Sequence, residues 1–138
     1  MSNFEISIRN RKVREVPANF LRAKSLIKSS EEAVKSAKEI PLTEGKQKTI
    51  LRELYEGLRQ FCEAIGYQKG YQFLDHESIT FFIDEILKEN SIATKFDRYR
   101  KLRNGINYYG NELLLKTTKE ALSEVPRMIG VLRKYLRD

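Results

Sequence analysis

Cysteine and histidine are nearly missing from this chain. Cys62 and His76 each occur once among 138 residues. A single cysteine forms no internal disulfide, which fits a reducing compartment and sets the expectation of a cytoplasmic protein. One Cys and one His build neither a Cys/His zinc site nor a Cys–His pair unless a second chain contributes. Paired Asp at ligand spacing and a Gly-rich phosphate loop are also lacking, so no metal and no cofactor is expected. There are only three prolines and seven glycines. Breakers are therefore sparse, and long helices are allowed. No apolar run approaches the length of a membrane span. The opening MSNFEISIRNRKVREV lacks the apolar stretch of a secretory signal.

Apolar residues and positive charge are what the chain does have. Hydrophobic residues make up 41% and charged residues 33%. That is enough apolar material for a core and excludes a wholly disordered chain. The length suits one domain. The charge sum is 26 − 19 = +7, which makes an anionic partner plausible. The excess is uneven. Residues 1–40 hold 9 basic and 5 acidic residues, whereas residues 75–110 hold 6 of each.

Periodicity divides the chain into about five helices with short connections. Residues 1–15 stand apart, because Phe4, Ile6 and Ile8 alternate with polar residues. A period of two reads as a short strand or an extended arm, followed by a basic tether of Arg9, Arg11, Lys12 and Arg14. A frayed terminus is the other reading. Residues 16–138 read as one helical domain. The first long helix is expected from about Pro17 to Ile40, with Val16, Phe20, Ala23, Ile27, Val34, Ala37 and Ile40 on one face. The second is expected after Thr43, a reasonable cap, as far as Gly66. Its Leu51, Leu54, Leu58, Phe61 and Ile65 alternate steps of three and four, the pattern of a helix–helix seam. Cys62 lies beside that seam and reads as a small core residue.

The stretch Gly66–Leu74 reads as a loop. Its Tyr67, Tyr71 and Phe73 suit plugs over the bundle end better than stacking platforms for bases. Asp75 is a good cap for a third helix carrying Ile79, Phe82, Ile83, Ile86 and Leu87. His76 falls in its first turn. It reads as solvated, or as a general base for which the sequence shows no partner. A fourth helix is expected from about Ser91 to Gly110, with Ile92, Phe96, Tyr99, Leu102 and Ile106 inward. A fifth is expected from about Asn111 onward, with Leu114, Leu122, Val125, Ile129, Leu132 and Leu136 inward. It should kink at Pro126 or break just before it. The fold class this predicts is an all-α, antiparallel bundle of four to five helices.

The fourth helix has the most unusual composition. Lys95, Arg98, Arg100, Lys101 and Arg103 face a single nearby acid, Asp97. At helical spacing Arg100, Arg103, Asn104 and Asn107 share a face, with Arg103 nearest the apolar stripe. Arg offers a forked donor for phosphate, and Asn offers a donor and an acceptor for a ribose or base edge. The competing reading is a solvated charged face, with Arg103 paired to a carboxylate of another helix. Gly105 in the helix interior allows close approach of another helix or of backbone, or marks a weak point.

Here the sequence resembles the HEPN-domain family, all-α bundles of prokaryotic toxin–antitoxin and defence systems. The resemblance rests on the helix order over residues 16–136. It rests also on Arg103-Asn104 followed by Asn107-Tyr108-Tyr109-Gly110. The family hallmark is an Arg, four to six residues, then a His, often with a polar residue directly after the Arg. Arg103 and Asn104 fit. Tyr108, Tyr109 and Gly110 stand where the His would fall.

In catalytic members the resemblance implies a metal-independent ribonuclease with two motifs brought together in a homodimer. It also implies partnership with a small nucleotidyltransferase for many members. A phenol is a poor general base at neutral pH. The leading expectation is therefore a dimeric module that binds RNA or a partner protein, with Arg100, Arg103, Asn104 and Asn107 as the phosphate-binding set. An active ribonuclease using Arg103 and Tyr108 is the first alternative. A plain protein-interaction bundle is the second.

Overall fold

In the computed structural model, which describes residues 1–138, helix α3 (Gln47–Lys69) forms the spine. Its Leu51, Leu54, Leu58, Phe61 and Ile65 have no exposed surface, as the seam predicts. Cys62 is equally buried in the same helix, and burial pushes its thiol up to about 12. The helix runs past Gly66 and stops at Gly70. There the backbone turns left-handed (φ 90°), a conformation that suits glycine. Gly66 instead makes room for Phe73, because a Cβ there would overlap that ring. The helix starts at Gln47 rather than directly after Thr43, and no side chain caps it.

Helix α2 (Phe20–Glu39) lies against α3. Asn19 caps it, its Oδ1 accepting from Arg22 N–H at 2.8 Å. The buried stripe is Ala23, Leu26, Ser30, Ala33 and Ala37, and Phe20 is exposed. The expected face is therefore rotated. Small residues, not the largest apolar ones, line the contact, because the two backbones come close. The Ser30 hydroxyl donates to the Gly57 carbonyl at 2.6 Å, and a Cβ on Gly57 would sit 2.7 Å from Val34 Cγ2.

The expected extended arm over residues 1–15 does not form. Residues Asn3–Arg9 make a short helix, α1, capped by Ser2. It buries Phe4 and Ser7, three apart, and leaves Ile6 exposed. A three-position step thus wins over the apparent alternation. Phe4 packs edge-on to Tyr71, and its N–H donates to the Glu85 carboxylate at 3.1 Å. Strand β1 (Val13–Glu15) then pairs antiparallel with β2 (Tyr71–Phe73), Val13 opposite Phe73. Phe4 and Val13 join the same core cluster as α3, so these residues belong to the main body. The aromatic stretch after Gly66 is the last helical turn plus β2, and Phe73 plugs the core.

Helix α4 (Glu77–Phe81) is short and continues into a π-helical turn, Phe82–Ile86. Asp75 provides its capping bond by accepting from Ser78 N–H at 3.0 Å. Helix α5 (Asn90–Tyr109) buries Ile92, Phe96, Tyr99 and Ile106 and ends at left-handed Gly110. Helix α6 (Leu115–Leu132) begins four residues later than Asn111 and leaves Leu114 exposed. It continues through Pro126 without a break. The fold is all-α, with four long helices, two short ones and one minimal strand pair. No helix is long and apolar enough to cross a membrane.

Candidate anion-binding cleft

The segment Leu74–Glu77 faces the C-terminal half of α5 across a cleft of about 490 Å³. Arg100, Arg103, Asn104 and Tyr108 form the α5 wall. The spacing of three and four that puts Arg100, Arg103 and Asn104 on one face is thus realised. Asn107 departs from the expected set. Its Oδ1 accepts from Arg52 Nε of α3 at 2.7 Å, and it does not line the cleft.

The basic cluster of α5 is largely neutralised inside the fold. Arg100 donates from Nε and Nη2 to Asp97 Oδ1 at 3.0 and 2.7 Å, and Nη2 lies 3.6 Å from Glu77. Lys101 pairs with Asp97 at 3.0 Å, Arg98 with Glu120 at 3.5 Å and Lys95 with Glu124 at 3.8 Å. Burial alone would raise the Asp97 carboxyl, but hydrogen bonds from Arg100 and Lys101 outweigh it and hold it below the usual range. Most of the compensation comes from Asp97 itself and from α6. Of the acids at 75–89, only Glu77 takes part.

Arg103 is the exception. It forms no ion pair. Its guanidinium lies 5.6 Å from the Tyr55 ring centroid, and Nη1 donates to Asn104 Oδ1 at 3.2 Å. The ring packs against the cation and leaves the remaining N–H donors of the fork for another acceptor. Tyr108 stands at the rim, 68% exposed.

Behind this wall lies a group that helical spacing does not reveal. Tyr55 is buried in α3, and its hydroxyl meets His76 Nδ1 at 3.0 Å. The direction of that bond follows the imidazole tautomer. The expectation of a solvated first-turn His is corrected: His76 is half-buried and partnered. Burial first, then the charges of Arg59 and Arg103, lower its pKa to about 4, so it is neutral at pH 7. Burial likewise raises the Tyr55 phenol against the opposing pull of Arg103.

Chain order hides this pair, because Tyr55 and His76 sit on different elements. One signal was present. Tyr55 falls on the apolar stripe of α3, four residues after Leu51, and a buried Tyr hydroxyl needs a partner. Gly105, the other feature of this helix, accommodates this chain's own turn. A Cβ there would lie 2.7 Å from Asn111 Nδ2.

The cleft therefore combines an unpaired cation, a neutral imidazole and an amide with the carboxylates of Asp75 and Glu77, and an exposed aromatic stands at the rim. Arg103 and Asn104 are the donors this wall would present to a phosphate, and Tyr108 the ring it would present to a base or ribose. No three His, Cys, Asp or Glu side chains group as metal ligands. Compared with known proteins, the chain matches no family model and no curated sequence.

Proposed function

We propose that the chain is a HEPN-like helical module that dimerises and binds RNA through the Arg103 cleft, without efficient catalysis. A small nucleotidyltransferase is the protein partner that this resemblance favours. The observation that carries the reading is Arg103. It is the one cation of the α5 cluster left without a carboxylate, and it stands in the wall of a cleft. Asn104 and Tyr108 flank it with the groups that contact a base or a ribose.

Fluorescence anisotropy with labelled RNA tests this, using wild type and Arg103→Ala at one salt concentration. The loss of a charge-assisted contact is expected to weaken binding about tenfold. Equal affinities would overturn the reading. Light scattering on the wild type gives the dimer directly, and a strict monomer at micromolar concentration would count against the paired cleft.

His76 favours a second reading, a metal-independent endoribonuclease. It replaces Tyr108 as the base, since its ring nitrogen is unprotonated at pH 7 and carries a lone pair that a neutral phenol does not match. The lowered pKa makes it a weaker base than an ordinary imidazole. With Nδ1–H donating to the Tyr55 oxygen, Nε2 carries the lone pair. The ribose 2′-oxygen would attack phosphorus as its proton passes to His76. The bond to the 5′-oxygen would break, that oxygen would take a proton from water, and the hydroxide left would recover the proton held by His76. The products are a 2′,3′-cyclic phosphate and a 5′-hydroxyl end. RNA cleavage in EDTA by wild type, lost in both Arg103→Ala and His76→Gln, is the expected result. No cleavage by wild type sinks it.

A further inference from the structure

Apart from Arg103, the chain's surplus positive charge is not on α5. None of the nine cations in residues 1–40 pairs with a carboxylate of that region, or of any other. Four of them, Arg9, Arg11, Lys12 and Arg14, crowd into six residues with no acid between them. Arg11, Lys12 and Arg14 are all exposed.

Backbone hydrogen bonds hold this basic turn in a fixed place. Arg11 N–H donates to the Ile8 carbonyl at 3.1 Å and Lys12 N–H to the Ser7 carbonyl at 2.8 Å. Arg11 takes a left-handed conformation (φ 60°) as the chain reverses. Leu74 N–H then donates to the Lys12 carbonyl at 2.8 Å. This extends the β1–β2 ladder by one pair, because Val13 faces Phe73 and Arg14 faces Gln72. Directly opposed residues in an antiparallel pair lie on the same face, with Cα atoms about 5.5 Å apart when hydrogen-bonded. Val13 and Phe73 take the buried face. Lys12 and Arg14 therefore share the outer face with Leu74 and Gln72. Leu74 also lines the wall of the Arg103 cleft. The basic turn begins one residue pair away from that wall.

The cleft's two carboxylates are each partnered within the fold. Asp75 accepts from Ser78 N–H, and Glu77 lies against Arg100. A half-exposed Leu74 bridges the gap, a surface on which a base or ribose can rest.

We propose that Arg11, Lys12 and Arg14 extend the cleft into a track for the phosphodiester backbone of a single RNA strand. The track runs from Arg103 across Leu74 onto the β1 edge. It rests on the reading of the cleft as an RNA site. It adds that a short oligonucleotide fills only the cleft, while a longer one also reaches the basic turn.

Salt titrations of binding test this with oligouridylates of about four and about twelve nucleotides. Each phosphate contact on a single strand contributes about 0.7 to the slope of log affinity against log salt. Arg11→Ser/Lys12→Ser/Arg14→Ser is expected to flatten the twelve-mer slope by about 2 and to leave the tetramer slope unchanged. These side chains are exposed and unpaired, so thermal melting should not move. Lys24→Ser/Lys28→Ser/Lys35→Ser removes the same charge from α2 and should leave both slopes unchanged. An equal loss in this control means that net charge alone acts, and overturns the track. An unchanged twelve-mer slope in the turn variant also overturns it, and leaves the Arg103 site standing. If Arg103→Ala has no effect, or wild type binds neither probe, the cleft reading fails and the track fails with it.

Discussion

Helix α3 has two sides, built on opposite principles. Toward α2 the contact is made of what is missing. Gly57 has no side chain, and Ser30, Ala33 and Ala37 have short ones, so the backbones come close enough for Ser30 to bond the Gly57 carbonyl. Toward α4 and α5 an apolar core is edged by polar tips. Tyr55 reaches His76, Arg103 lies over the Tyr55 ring, and Arg52 holds Asn107. The first side has no room to change. The second keeps a cleft open beside it. One helix thereby anchors the fold with one face and presents chemistry with the other.

That contrast is broken most severely from the tight side. In Gly57→Val the new Cβ would meet Val34 Cγ2 at 2.7 Å and the Ser30 carbonyl at 3.0 Å. The oxygen belongs to backbone and yields little. Urea unfolding should show a loss of about 3 kcal/mol, at the upper end of overpacking costs. RNA affinity of the folded fraction should be unchanged, and a stability within experimental error of wild type would remove the claim of close packing.

A smaller effect is expected on the polar side. Tyr55→Phe should cost about 1 kcal/mol, the usual net worth of one such hydrogen bond. His76 adds a pH signature to it. Its folded pKa of about 4 lies below its ordinary 6.5. Between those values the unfolded chain binds the proton and the folded chain does not. The contribution is therefore fully present above pH 6.5 and is lost as pH falls toward 4. Carboxylates such as Asp97 also lose stabilisation in acid, so the difference between wild type and His76→Gln isolates the imidazole. Wild type should lose more stability than His76→Gln between pH 7 and pH 4.5. Parallel losses would show that His76 is not desolvated.

The smallest effect on stability is expected at Arg103. Its contact with Tyr55 is worth about 0.5–1 kcal/mol. Arg103→Ala should therefore melt nearly as wild type does, while RNA binding falls. A large drop in melting temperature would make Arg103 a structural residue and would blur the division between the two faces.

Much of this was legible in the sequence, for definable reasons. The α3 seam reads directly because large apolar residues repeat at three and four. The α5 face reads for the same reason, and it carries Arg100, Arg103 and Asn104 into one wall. The tight face of α2 does not read this way, since a scan for large apolar residues passes over Ala, Ser and Gly. In α1, seven residues are too few to separate a period of two from a step of three. The Tyr55–His76 bond depends on where α4 begins relative to α3, which no local pattern encodes. Which cations are free is also tertiary information. The regional charge sums already place the excess in residues 1–40. The carboxylates that neutralise the α5 run, however, lie on α6 and at Glu77 as well as at Asp97, which no local pattern gives.

Cys62 gives the spine a clock. Its thiol is sealed in the middle of α3, and burial holds it in the unreactive protonated form. A thiol reagent added in excess reports only those molecules in which α3 has come away from its neighbours. The labelling rate then counts openings of the central helix under native conditions, in a chain with no second thiol to confuse the count. Run with and without RNA, the same clock would register whether a strand lying in the cleft is felt on the sealed side of the helix.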